Sequence, residues 1–135
     1  VRYYNDSAAT IPEATLAAVR SFSQPVVLIC GGTDKELELA PLVEAAKESK
    51  ECYLLAGSAT KRLEPLLRSE NIAYHGPYEQ LDRLLRECEV GPPERSGREV
   101  VLFSPGCASF ELFQNEFDRG NRFVALLEGR GIRSS

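Results

Sequence analysis

The sequence has one histidine, no methionine and four widely spaced cysteines. With Cys30, Cys52, Cys88 and Cys107 forming no C-x-x-C pair, neither a zinc site nor a redox dithiol is signalled, and the buried small hydrophobe is the expected role. No apolar run approaches the roughly 20 residues that span a bilayer, the longest being Pro25–Cys30 and Val100–Phe103. A soluble, cytoplasmic protein is therefore expected. The opening Val1-Arg2-Tyr3-Tyr4-Asn5-Asp6 lacks the basic start and apolar stretch of a signal peptide as well as an initiator methionine, and reads as the start of a piece cut from a longer chain. A formal charge of −4, with acids and bases interleaved as in Lys47-Glu48-Ser49-Lys50-Glu51, leaves no basic stripe for a phosphate backbone, so nucleic acid is not expected as a partner. Two phosphate motifs are also missing. Gly31-Gly32-Thr33-Asp34-Lys35 has neither the spacing nor the final Ser/Thr of a Walker A loop, and no G-x-G-x-x-G occurs.

What is present is an alternation of short apolar runs with helical patterns over 135 residues that are 43% hydrophobic, enough for one compact domain. Strands are predicted at Val1–Tyr4, Pro25–Cys30, Cys52–Ala56, Ile72–Tyr74 and Val100–Ser104. Helices are predicted between them. The first is capped by Thr10, has Pro12 in its first turn and ends near Ser23; later ones carry Leu42, Val43, Ala45 and Ala46, then Leu63, Leu66 and Leu67, then Leu81, Leu84 and Leu85. A closing helical region carries Phe110, Phe113 and Phe117, a mostly core set, and continues beyond Gly120 with Phe123, Leu126 and Leu127; Ile132 to Ser135 reads as a frayed tail. The pattern predicts a single α/β domain of Rossmann-like class, a mostly parallel sheet with helices on both faces.

In such sheets ligands gather at the carboxyl ends of the strands, where loops and helix starts present unpaired N–H groups. Three segments fit: Asn5–Thr10, Gly31–Lys35 and Ser104–Phe110. They offer a carboxylate (Asp6), hydroxyls (Ser7, Thr10, Thr33, Ser104, Ser109), one cation (Lys35) and helix-start amides around Ser109 and Phe110, a mixture suited to an anionic small molecule. Each residue also has a plainer reading: Thr10 and Ser109 as helix caps, Asp6 as the brace of its own turn, Gly31-Gly32 as a tight turn. Cys107 as a nucleophile would need a base, and His75 lies on a different part of the chain.

At these segments the sequence resembles the carboxy-terminal domain of the Mur ligases. The resemblance is carried by Asn5-Asp6-Ser7-Ala8-Ala9-Thr10 with Pro12-Glu13-Ala14-Thr15, by Gly31-Gly32-Thr33-Asp34-Lys35 with Ala40-Pro41-Leu42, and by Ser104-Pro105-Gly106-Cys107-Ala108-Ser109-Phe110 with Asn115 and Arg119-Gly120-Asn121-Arg122-Phe123. It implies that residues 1–135 form the last of three domains, whose amino-terminal UDP-binding and central ATP-binding partners are absent from this chain. It further implies ligation of D-glutamate to UDP-N-acetylmuramoyl-L-alanine through an acyl phosphate made with ATP and Mg2+. Thr10, Lys35, Ser109 and the amide of Phe110 would hold the amino acid, and Asp6 with Asn5 would meet the nucleotide ribose. No catalytic or metal-binding residue is implied here, and the isolated domain is expected to be inactive until it closes on its central neighbour. Two positions depart from the pattern: Ala8 replaces a common lysine and Glu116 a usual aromatic. Two alternatives stay open, a Mur ligase domain for a different amino acid and a free-standing module that binds a small anionic metabolite.

Overall fold

The computed structural model describes residues 1–134 as five strands and five helices in strict alternation. In chain order they are β1 (Arg2–Asn5), α1 (Pro12–Arg20), β2 (Val27–Cys30), α2 (Ala40–Glu48), β3 (Glu51–Leu55), α3 (Ser58–Ser69), β4 (His75–Tyr78), α4 (Leu81–Val90), β5 (Val100–Phe103) and α5 (Glu116–Glu128). All four pairings are parallel, in the order β1-β5-β2-β3-β4. The fold is α/β and Rossmann-like.

The central strands VLIC and VVLF have every residue buried, as a strand covered on both faces must. Because side chains alternate along a strand, each strand feeds two cores. Leu28, Cys30, Leu54 and Leu102 face α1, α2 and α3 through Val19, Leu42, Ala45, Leu63 and Leu67. Val27, Ile29, Tyr53, Leu55 and Phe103 face α4 and α5 through Leu84, Leu85, Phe123 and Leu127, with Phe103 stacked on Phe123 at 4.5 Å. No helix among the described residues is long and apolar enough to cross a membrane.

Five expectations need correction. The fourth strand is not Ile72–Tyr74 but His75–Tyr78, an exposed edge with no apolar signature, whereas Ile72 and Tyr74 pack on the core from the preceding loop. The first helix stops at Arg20, three residues short of Ser23, and its N-cap is Ile11 rather than Thr10. The closing helix begins only at Glu116, capped by Asn115, whose side-chain oxygen accepts the Asp118 amide at 2.8 Å, and Gly120 lies inside it. Of the three phenylalanines before Gly120, only Phe113 is buried; Phe110 and Phe117 are exposed. The tail is not frayed as far as Ser134, which bridges Tyr3 while Ile132 packs on the second core; Ser135 lies outside the described residues.

The sheet end opposite the three loops is closed by charge. Arg95 donates to both carboxylate oxygens of Glu51 at 2.8 Å, with both side chains 9% exposed. Buried Glu99 accepts from Lys50 at 2.8 Å and from the Ser96 and Gly97 amides at 2.9 Å. The Lys50 ammonium, and after it the Ser96 amide, hold the Glu99 carboxyl well below its ordinary value of 4.5. A depressed folded-state value means that this stabilisation is complete above the unfolded value and is lost as pH falls through the folded one. The urea midpoint should therefore decline on acidification below about pH 4.5, and Glu99→Gln should remove part of that decline. A Glu99→Gln acid profile that parallels the wild type would contradict the assignment.

Candidate functional site

The three segments do converge at the carboxyl ends of β1, β5 and β2, which are neighbours in the sheet. Backbone bonds stitch them together. Asp6 donates its amide to Phe103 O at 2.7 Å, Gly31 to Pro105 O at 2.9 Å and Gly106 to Ala9 O at 2.9 Å. Thr33 and Ala108 exchange two bonds of 2.9 and 3.2 Å, a short antiparallel bridge between the second and third loops.

That bridge divides the expected ligand residues between two depressions. Thr10 and Lys35 line one, with Asp34, Gly106 and Cys107. Ser109 lines the other, with Gly31, Gly32, Leu112, Phe113 and Arg119. Thr33 and Ala108 belong to both. Each is shallow, with about 10 Å³ of enclosed space, enough for one water-sized group rather than a whole metabolite. Phe110 is 59% exposed on the rim, where the Lys35 ammonium sits 5.0 Å from its ring centroid.

The plainer readings of these side chains resolve residue by residue. Thr10 caps no helix, because the chain enters α1 one residue later at extended Ile11. No helix starts at Ser109 or Phe110 either; Phe113 closes a single turn onto Ser109 O at 2.9 Å, and the Glu111 amide goes to Thr33 Oγ1 at 3.0 Å. Ser109 Oγ is buried without a hydrogen-bond partner among the described residues. The turn brace is Asn5, whose side-chain oxygen accepts the Ser7 amide at 3.1 Å, an Asx turn. Asp6 instead accepts from Ser104 Oγ at 2.7 Å, and Thr15 Oγ1 donates to Ser104 O at 3.0 Å. The half-exposed Asp6 carboxylate retains acceptor capacity, since an ionised carboxylate has about four lone-pair sites.

Gly31 makes room for β3 and α3, and Gly32 for the third loop, since a Cβ on Gly32 would lie 2.6 Å from Ala108 O. A Cβ on Gly31, whose φ is +107°, would lie 2.6 Å from Leu55 O and from Thr60 Oγ1. Gly32 O instead accepts the Ala59 amide at 3.0 Å in the first turn of α3. Glu111 accepts from the Ser58 amide and hydroxyl at 2.8 Å at the same helix end, which lowers its carboxyl from the usual value. That bond anchors the third loop.

Sequence reasoning assigned no role to Arg119. Its side chain is 1% exposed and donates to Ser7 Oγ at 3.0 Å, Ser7 O at 2.7 Å and Cys107 O at 2.8 Å, joining α5 to the first and third loops. Burial pulls its ionisation down to about 10. The signal was its spacing: Arg119, Phe123 and Leu127 recur every four residues on the buried stripe of α5.

The Cys107–His75 dyad is excluded by topology. His75 stacks on Tyr53 in β4, three strands from β5, which is about 14 Å at normal strand spacing. Burial pushes the Cys107 thiol up to about 12. All four cysteines are buried and free, and no metal-binding group of three or more His, Cys, Asp or Glu occurs among the described residues.

Fold and edge together define a Rossmann-like domain with a polar rim on which Lys35 lies beside Asp34. No family model matches the chain. It is nevertheless 50% identical over 123 residues to the UDP-N-acetylmuramoylalanine--D-glutamate ligase of Treponema pallidum, covering 91% of this chain and 23% of that protein. The ligases of the same name from a Roseiflexus species and from Borreliella burgdorferi are 42% and 40% identical over 95% and 97% of the chain, and 28% and 29% of their own lengths. The resemblance to this ligase family thus extends over nearly the whole chain, which spans about a quarter of the length of these relatives.

The thiolate, not the thiol, reacts with alkylating agents, and burial keeps all four side chains from the reagent. Iodoacetamide at pH 8 should label none of the four in native protein and all four in urea, as read by intact mass. Rapid native labelling of Cys107 would refute the buried geometry.

Proposed function

We propose that this chain is the carboxy-terminal, amino-acid-binding domain of a cytoplasmic ATP-dependent ligase that joins D-glutamate to UDP-N-acetylmuramoyl-L-alanine, a step of peptidoglycan and hence cell-wall biosynthesis. The observation that carries this reading is the similarity, at up to 50% identity and over 91–97% of the chain, to ligases of that name.

The edge of the sheet supports a division of labour. Lys35 and the Thr10 hydroxyl take one carboxylate of the amino acid, on one side of the Thr33–Ala108 bridge. The Ser109 hydroxyl and the Phe110 amide take the other. Lys35 has no acidic partner within 4 Å among the described residues, and neither Ser109 Oγ nor the Phe110 N–H donates a hydrogen bond there, so all three retain the capacity to bind a ligand. Charge-assisted bonds of this kind are the strong ones. Asp6, steadied by Ser104 and flanked by Asn5, would accept ribose hydroxyls of a nucleotide held across the domain interface.

ATP and Mg2+ supply activation of the precursor carboxylate when bound. The described residues offer neither a phosphate loop nor a trio of metal ligands, so that chemistry is assigned to the central domain. This domain contributes position. Holding the amine of the amino acid against an activated carboxyl replaces an encounter between free molecules with a near-attack geometry, which can account for a large share of a rate enhancement. Two features bear on the choice of amino acid. Ala8 leaves its exposed position without a cation, and Glu116 is half-exposed at the first position of α5, one turn before Arg119.

The isolated domain should hydrolyse no ATP, and turnover by it would refute the half-site reading. In the full-length enzyme, Lys35→Ala should raise the apparent KM for D-glutamate roughly 10- to 100-fold, the worth of one charge-assisted bond, and leave the KM for ATP within about twofold. Equal effects on both constants would place Lys35 elsewhere.

A further inference from the structure

The fold treats Arg95 and Arg119 differently. Arg95 is matched by Glu51, with paired bonds to a carboxylate. Arg119 is more deeply buried, yet its acceptors are a hydroxyl and two carbonyls, all neutral. No ion pair among the described residues includes it. A guanidinium has five N–H donors, and three are engaged here, leaving one on each terminal nitrogen. A buried charge without a counter-charge is costly, and a purely structural staple would be better served by a neutral donor or by a nearby acid.

A second observation lies in the same depression. Ser109 Oγ, in a residue 4% exposed, is the one buried side-chain polar atom without a partner among the described residues. Ser109 and Arg119 line one depression, while Lys35 lines the other, across the Thr33–Ala108 bridge. An unmatched cation and an unmatched hydroxyl thus meet in a recess with room for a group the size of one oxygen.

We propose that Arg119 is a positioning and specificity-determining residue that supplies the positive field of the Ser109 depression, so that an amino acid with a second ionised carboxylate is selected over its neutral side-chain amide. The inference rests on the ligase reading above and deepens it. Two cations then flank the bridge, one exposed (Lys35) and one buried (Arg119), a spacing that rewards a dicarboxylate and gives a monocarboxylate only half of the charge pairing. Burial makes the Arg119 field strong, since little solvent screens it. It also limits Arg119 to orienting and attracting the carboxylate that Ser109 contacts. The Glu116 carboxyl, one turn away on α5, is the nearby acid acting on this charge, and its half-exposed position leaves the field of Arg119 only partly offset.

The test uses the full-length enzyme and compares kcat/KM for D-glutamate with that for D-glutamine, its side-chain amide. Arg119→Met should cut the preference for D-glutamate at least tenfold, chiefly through KM, with the KM for ATP within twofold. Arg119→Lys should retain most of the preference, because it retains the charge. Ser7→Ala removes one acceptor of the guanidinium but not the charge, so it should lower the melting temperature while leaving the preference intact. If Arg119→Met does not fold, the Lys and Ser7→Ala variants decide the matter, and loss of preference in either would overturn the proposal. An Arg119→Met enzyme that loses activity on both substrates in equal proportion would identify a simple staple and overturn the inference alone. A wild-type enzyme inert with D-glutamate would overturn the ligase reading as well.

Discussion

The pair of backbone hydrogen bonds between Thr33 and Ala108 turns two loops from adjacent strands into one surface. The Gly31 amide on Pro105 O and the Glu111 amide on Thr33 Oγ1 flank it, so segments that loops generally leave free to move are tied at three places. With it, Lys35 and Phe110 meet on the rim, and Ser109 is held in a depression of its own. The supporting bonds are consistent with this constraint. Glu111 anchors the third loop on the α3 amino end, Asp34 accepts Arg62 at 2.7 Å, and Arg119 holds the first loop against the third. A ligand arriving here meets an edge whose hydrogen bonds are already made, with a few donors left over. Such preorganisation lowers the cost of binding.

The sheet beneath that edge is asymmetric in chemistry. One end carries open loops with Lys35 exposed and Ser109 unpaired. The other end is closed by Arg95 on Glu51 and by Lys50 on Glu99, bonds that need no ligand. Exposed ion pairs contribute little, but these two include nearly buried carboxylates with several donors each, which is the setting in which pairing matters. Both glycines after β2 permit close approach on different sides, Gly31 to Leu55 O and Thr60 Oγ1 and Gly32 to Ala108 O of the third loop.

Much of this was legible in the residues. PVVLIC and VVLFS announced buried parallel strands through unbroken apolar character, and the leucines of α3 and α4 announced helices through their spacing. The strand at His75–Tyr78 was not legible, because an exposed edge strand has no buried face to record in its sequence. The start of α5 was missed for a different reason. Ser109 and Asn115 are both good caps, and which of them a helix uses depends on where the preceding loop is tied. Phe117 looked like core by analogy with Phe113, yet it lies in the first turn of a helix whose buried stripe runs through Arg119, Phe123 and Leu127.

Composition and periodicity by themselves determined the α/β class, the parallel alternation and the convergence of three loops at one edge, since each follows from local rules about which residues bury and which turn. Tertiary structure alone decided that Thr10 and Lys35 share a depression that excludes Ser109, that Asn5 rather than Asp6 braces the first turn, and that Arg119 is buried among neutral acceptors. These are facts about partners distant in sequence: the bond from Arg119 to Ser7 spans 112 positions and that from Ser104 to Asp6 spans 98. No local pattern encodes which neutral group a buried charge will meet, because the chain must first close on itself to bring them together.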